Sequence, residues 1–272
     1  MRHTIFWNGL KNMQLECYLQ PIYDVQNNKI NVAEALFRAR QHNGTWFDTE
    51  QLIANLEAND CITDVDLWML EQVCKNMRKL EAVGIERVNV NLSPRFYMDE
   101  SMVSEIKRIM REYKVMSSQI WFELTEFADV KDKETLKRLI TKLTGTGFRF
   151  ALDDFGKGQS NLIRLFDYPF HCIKLDKELT WKLDQGQESD MTRCMLEHII
   201  EFAHRFAICV TAEGIENAEQ AKILISMGCD FLQGYMISRP LPLDEFLLFV
   251  QSYHCRPFGA GTMEKRSSEG KE

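Results

Sequence analysis

From Arg87 onward the chain keeps switching its hydrophobic period, and that alternation restricts the fold more than any other feature. Six times a short run with period two is followed by a longer segment with apolar residues every three or four positions. The strands read over 87–92, 119–125, 148–153, 171–175, 207–212 and 230–233. The helices read over 100–113, 132–144, 160–166, 188–205, 217–227 and 243–252. Strands that alternate with helices make a largely parallel sheet. Upstream, 16–23 and 30–38 read as a hairpin across the polar turn 24–28, followed by helices at 48–58 and 64–82, the latter closed by Gly84. Eight strands in roughly 250 residues suit a closed barrel. An open doubly wound sheet is the rival, but no Gly-x-Gly-x-x-Gly follows an early strand; Gly156-Lys157-Gly158 is a fragment lying mid-chain. The expected class is therefore α/β: a single-domain, TIM-like (β/α)8 barrel with an antiparallel N-terminal strand. Residues 1–14 read as a short helical extension (helix 5–13), 15–255 as the barrel, and 256–272 as a disordered tail rich in Gly, Ser and charge.

Side chains alternate across a strand, so each strand can be sorted into two faces. In 87–92, Val88, Val90 and Leu92 oppose Asn89 and Asn91. In 119–125, Ile120, Phe122 and Leu124 oppose Trp121, Glu123 and Thr125. In 148–153, Phe148, Phe150 and Leu152 oppose Arg149, Ala151 and Asp153. Ile173 and Leu175 oppose Cys172 and Lys174, and Ile208, Val210 and Ala212 oppose Thr211 and Glu213. With the aliphatic faces under the helices, Asn91, Glu123, Asp153, Lys174 and Glu213 point into the barrel late in five successive strands. Gln233 ends a sixth strand, and Glu34, between Ala33 and Ala35, is a seventh candidate. Asp154 follows Asp153 directly, ahead of the glycine-bearing turn Phe155-Gly156-Lys157-Gly158.

Each residue has a local alternative. Asn91 before Ser-Pro can form a turn, Glu123 can be a satisfied strand polar, Lys174 can pair with Asp176, Glu213 can cap the helix near Asn217, and Asp154 can cap the next helix. Each alternative is the stronger reading taken alone, but not for all of them at matching places in successive strands. Uncompensated interior carboxylates are costly, and four or five converge here with one inward lysine. Oxygen ligands from carboxylates and an amide suit Mg²⁺ or Mn²⁺ better than zinc. Barrels of this type place their chemistry at the carboxyl ends of the strands. Two cations sharing an aspartate suit in-line attack on a phosphodiester, with Lys174 orienting or deprotonating water. Proton abstraction of the enolase kind uses a comparable set. Spacing alone separates the two only weakly.

Composition narrows the partners. A net charge of −7 over 272 residues argues against a broad duplex nucleic-acid or membrane-binding face. Five Trp and seventeen Phe supply a sizeable core. The eight cysteines stand singly, with no Cys-x-x-Cys pair, which suits reduced thiols and a cytoplasmic setting. No apolar run is long enough for a signal peptide or a membrane span, so a soluble protein is expected.

At this point the motifs point to a family. Glu34-Ala35-Leu36-Phe37-Arg38 resembles the Glu-Ala-Leu-Leu-Arg signature of EAL-domain cyclic-di-GMP phosphodiesterases. Val90-Asn91-Leu92-Ser93, Glu123-Leu124-Thr125-Glu126, Asp153-Asp154-Phe155-Gly156, Ile173-Lys174-Leu175-Asp176, Ala212-Glu213-Gly214-Ile215-Glu216 and Gln233-Gly234-Tyr235 follow in that family's order. The resemblance spans about residues 15–250. It implies hydrolysis of cyclic-di-GMP to linear pGpG with two divalent ions, Mg²⁺ or Mn²⁺. One ion would be held by Glu34, Asn91, Glu123 and Asp153, and the second by Asp153 and Asp154. Glu213 would act directly or through water, Lys174 on the attacking water, and Gln233 in positioning. Arg38 and the backbone near Leu36 would bind the phosphate and guanine side, and Glu126 would anchor the loop after Asp154, which contributes to a homodimer. Lys157, Gln159 and Asn161 stand where the family has Thr, Tyr and Ser. The resemblance also leaves room for a catalytically weak or inactive member that acts as a cyclic-di-GMP sensor or protein-binding module. Glu34, the Asp153-Asp154 pair and Lys174, which inactive members typically lose, are all present. The chain reads as a stand-alone domain or as a fragment of a larger protein.

Overall fold

The computed structural model describes residues 13–93, 101–124, 133–157, 165, 167–184 and 188–254. Strands β1 (Met13–Asp24) and β2 (Lys29–Gln41) form the expected hairpin, longer at both ends than the sequence pattern indicated. Asp24 organises its turn: the carboxylate accepts from the Asn27 backbone N–H at 2.9 Å and from the Asn31 amide at 2.9 Å. Asn28 takes a left-handed φ of 52° there, which asparagine tolerates better than most residues. Helices α1 (Thr49–Ala58) and α2 (Ile62–Ala82) follow. The Asp48 side chain caps α1 by accepting from Gln51 N–H. Helix α2 buries Ile62, Val65, Met69, Leu70, Val73, Met77 and Leu80 along one stripe and stops at Gly84, whose φ is 90°.

The alternating section then unfolds as read: β3 (Arg87–Leu92), α3 (Ser101–Tyr113), β4 (Ile120–Leu124), α4 (Lys133–Thr144), β5 (Arg149–Phe155) and β6 (Cys172–Leu175). It continues with α5 (Lys177–Trp181), α6 (Glu188–Arg205), β7 (Cys209–Ala212), α7 (Ala218–Ser226), β8 (Phe231–Leu232), β9 (Leu241–Pro242) and α8 (Leu243–His254). Strands β2 through β8 pair in order and in parallel. Strand β1 closes the ring between β8 and β2, antiparallel to both, so that eight strands form a closed barrel. Short β9 adds to the edge of β1 through Tyr18 and Leu19.

Two elements escaped the sequence reading, α5 and β9, because five and two residues are too few to show a period. Of the expected extension, Met13 and Gln14 belong to β1; the rest of helix 5–13, most of helix 160–166 and the tail from 256 lie outside the described residues. The face assignment holds. Val88, Val90, Ile120, Phe122, Leu124, Phe150, Leu152, Ile173, Leu175, Val210 and Ala212 have no exposed surface and pack in the main apolar core.

A cluster of carboxylates around one lysine at the barrel mouth

Strand β5 does not end where the period breaks. Leu152 pairs with Ile173 and Phe155 with Leu175, so three steps on β5 match two on β6. This is a bulge, and Asp154 carries it with a left-handed φ of 53°. The bulge re-aims the Asp153-Asp154 pair at the strand's end. Asp154 has its pKa raised to about 6 by burial and by the neighbouring Asp153 charge. Asp176, proposed by pattern as a partner for Lys174, instead caps α5 by accepting from Glu178 N–H at 2.7 Å. Asn217 likewise caps α7, which leaves Glu213 free of that duty.

Lys174 stands at the centre. Its Nζ lies 2.7 Å from Glu123 Oε2, 2.7 Å from Glu213 Oε1, 3.2 Å from Asp153 Oδ1 and 3.3 Å from Glu34 Oε2. Lysine and Glu123 are fully enclosed and Glu34 nearly so. Amides hold the outer oxygens. Gln233 donates to Glu34 Oε2 at 2.6 Å, Asn91 to Glu34 Oε1 at 3.1 Å, and Asn89 to Glu123 Oε1 at 2.7 Å. Gln20 of β1 accepts from Gln233 at 3.1 Å and donates to the Ser238 carbonyl. Gly234 lets Gln233 sit this close: a Cβ at 234 would overlap the Ile215 backbone.

One ammonium does not balance four carboxylates. Burial works against the charge on Lys174, but the surrounding carboxylates outweigh it and hold its pKa well above the ordinary lysine value. Burial and the Glu34 charge push Glu123 well above the usual carboxylate range. Burial, then the Asp153 and Glu34 charges, pushes Glu213 to about 8 despite Lys174. Glu34 alone ends below its ordinary value, because Lys174 and the Gln233 and Asn91 amides outweigh its burial. The cluster therefore retains protons or takes up further positive charge.

Among the described residues, no three His, Cys, Asp or Glu side chains are arranged as a ready-made metal cage, since the carboxylates turn towards Lys174. The donor set nevertheless fits hard divalent cations: all the atoms are oxygens, and buried Asn89 Oδ1, Asp153 Oδ1 and Gln233 Oε1 accept no hydrogen bond. Asp153 Oδ1 touches Lys174 only as an ion pair. The cluster floors a cavity of about 400 Å³ walled by Leu36, Lys177, Trp181, Glu216 and Tyr235. A smaller cavity of about 170 Å³ adjoins it, sharing Leu36 and lined by Arg38, Asn91 and Ser93.

The structure thus brings together Glu34, Asn91, Glu123, Asp153, Lys174, Glu213 and Gln233. Asp154 stands beside them and Leu36 on the cavity wall, while Arg38 belongs to the neighbouring cavity. Glu126, Gln159 and Asn161 lie outside the described residues. Sequence reasoning missed Gln20 and Trp181, and gave Asn89 and Tyr235 no role. Gln20 was detectable in principle: it is the polar break in Leu19-Gln20-Pro21-Ile22, and the hairpin register places it opposite Glu34.

A closed eight-stranded barrel with acidic and amide side chains gathered at the carboxyl ends of its strands belongs to the TIM-like α/β class, with its site where such folds put chemistry. The model of the EAL domain family matches residues 5–240, and the chain belongs to that family. The signalling protein YkoW of Bacillus subtilis is 31% identical over 250 residues, covering 92% of this chain and 31% of YkoW. The cyclic di-GMP phosphodiesterase NbdA of Pseudomonas aeruginosa is 30% identical over 247 residues, covering 90% of this chain and 31% of NbdA. This chain thus spans about a third of those relatives. Among solved structures, the EAL enzyme Bd1971 in its cAMP and cyclic-di-GMP bound form superposes with a TM-score of 0.81 at 26% identity, covering 92% of this chain and 68% of that one.

Proposed function

We propose that this chain hydrolyses cyclic-di-GMP to linear pGpG, with water breaking one phosphodiester at its P–O3′ bond. The observation that carries the reading is the convergence of Glu34, Glu123, Asp153 and Glu213 on one lysine at the barrel mouth. NbdA, named a cyclic di-GMP phosphodiesterase, and Bd1971, solved with cyclic-di-GMP, support it through the shared family.

Two divalent cations, Mg²⁺ or Mn²⁺, would be held by Glu34, Asn91, Glu123 and Asp153 on one side and by Asp153 and Asp154 on the other, with Glu213 at the margin. When bound they supply Lewis-acid stabilisation of the charge that grows on the phosphate. Lys174, held as ammonium, orients the attacking water by donating to it rather than by removing its proton. Glu213, 2.7 Å from Lys174 Nζ, is the acceptor beside that water. Gln233 and Asn91 fix the Glu34 carboxylate from two sides. Arg38 and the Leu36 backbone receive the phosphate and guanine side in the smaller cavity. The protein works in the cytoplasm as a homodimer, and no helix among the described residues is long and apolar enough to cross a membrane.

A second reading, binding without cleavage, draws on the closure of the carboxylates over Lys174. One assay separates the two. Purified protein with cyclic-di-GMP and Mn²⁺ is expected to yield pGpG. Retained binding with no product establishes the sensor reading, and no binding overturns both.

A further inference from the structure

Below the acidic mouth, on the same inward face of the same two strands, lie two thiols that the proposed reaction does not use. Cys172 is two residues before Lys174 on β6, and Cys209 is four residues before Glu213 on β7. The two are direct partners in the parallel β6–β7 ladder. Neighbouring strands stand about 4.8 Å apart, which falls inside the Cα separation that a disulfide spans. Cys172 Sγ lies 3.4 Å from Thr211 Oγ1 and 3.5 Å from the Ile173 carbonyl oxygen. Among the described residues, no other two cysteines are partners in the strand ladder. Cys229 is fully enclosed and points its thiol at the Val210 and Phe231 carbonyls, 3.4 and 3.3 Å away.

We propose that Cys172 and Cys209 form a redox-modified pair that closes to an internal disulfide with a hydroperoxide as oxidant. In the first step the Cys172 sulfur attacks the peroxide. The O–O bond breaks, Cys172 becomes a sulfenic acid, and water (or an alcohol) leaves. In the second step the Cys209 sulfur attacks Cys172, expels that oxygen as water and forms the S–S bond. Two thiols are oxidised by two electrons, one peroxide is reduced, and the thiol protons end on the released oxygens.

The assignment of roles follows the surroundings. Burial disfavours a thiolate at Cys172, but the adjacent Cys209 and Thr211 side chains and the Arg87 charge outweigh it, so its pKa lies below the ordinary thiol value. Cys209 gives up its proton less readily, since the adjacent Cys172 sulfur and then burial push its pKa up. Cys209 keeps some exposure, which gives a small oxidant a way in. A disulfide reopens by attack of a thiolate on one of its sulfurs, so a small thiol able to reach the pair would reverse the closure. Closing it ties β6 to β7 beneath Lys174 and Glu213 and removes the Cys172–Thr211 contact.

The test is peptide mapping of the whole chain. Native protein is treated with hydrogen peroxide, blocked with an alkylating agent and digested, with a parallel sample first reduced by dithiothreitol. A Cys172–Cys209 cross-linked peptide that disappears in the reduced sample is the expected result. Cys209→Ser must remove that peptide and leave Cys172 as a sulfenic acid trappable by dimedone, with circular dichroism confirming the fold. Peroxide that leaves both thiols alkylatable, or that links Cys229 or Cys194 instead, overturns the proposal. The readout is chemical, so it stands whether or not cyclic-di-GMP is cleaved.

Discussion

The two ends of the barrel are built on the same strands with the same parity, yet they handle charge in opposite ways. At the carboxyl ends, four carboxylates share one ammonium, and three buried amide or carboxylate oxygens accept no hydrogen bond. At the amino ends, Arg87 lies over Trp121 with 3.8 Å from its central carbon to the ring centroid, and over Phe231 at 4.6 Å. The floor quenches a single cation between π faces and plugs the barrel. The mouth keeps negative charge in excess. The half-buried Arg87 cation is met by aromatic faces where it stands, although its Nε finds no hydrogen-bond acceptor, whereas clustered carboxylates are satisfied only by something added, a proton or a metal. Stability and chemistry are thus divided between the ends of one sheet.

Removing the shared cation should have the largest effect. Lys174→Ala leaves buried Glu34 and Glu123 and half-buried Asp153 and Glu213 facing one another, and the loss expected is about 3–5 kcal/mol in urea denaturation together with loss of pGpG production. Unchanged stability would mean that the cluster is already neutralised by protons. Glu34→Gln keeps the shape and the Gln233 contact region but drops one charge. Turnover should fall on the order of a hundredfold or more while the melting temperature holds or rises; near-normal activity would remove Glu34 from the site.

The opposite end should answer in the opposite currency. Arg87→Ala empties the space between Trp121 and Phe231 and should cost about 3 kcal/mol in stability with kcat/KM per folded molecule nearly unchanged. A large kinetic effect there would break the division between floor and mouth.

The smallest effect concerns Asp66, behind the mouth on α2. Its carboxylate accepts from Ser93 Oγ at 2.6 Å and Ser93 N–H at 3.0 Å, but burial outweighs these and raises its pKa from 3.8 to about 7. The folded protein keeps a proton that the unfolded chain releases, so stability from this group is full below about pH 4, falls as pH rises to about 7, and stays low above that. Asp66→Asn should therefore gain about 2 kcal/mol more at pH 8 than at pH 5 in paired denaturation curves. An equal gain at both values would show that Asp66 ionises normally.

Much of this was legible from period and parity. Period-two runs named β3 to β7, and their polar side predicted that Asn91, Glu123, Asp153, Lys174 and Glu213 would meet. Parity is local, because adjacent peptide units force side chains to alternate, so one strand suffices to read it. Short α5 and β9 were not legible, and Asn89 looked no different from Asn91 although it serves Glu123 rather than Glu34.

By itself, then, the order of residues determined which side chains face the barrel axis and which kind of chemistry they carry. The bulge that turns Asp154, the amides that Glu34 and Glu123 take, and the distances at which four carboxylates meet Lys174 were decided only by the tertiary structure. Such distances depend on strand tilt, register and closure, which are set by contacts between residues far apart in sequence, as Gln233 and Glu34 are.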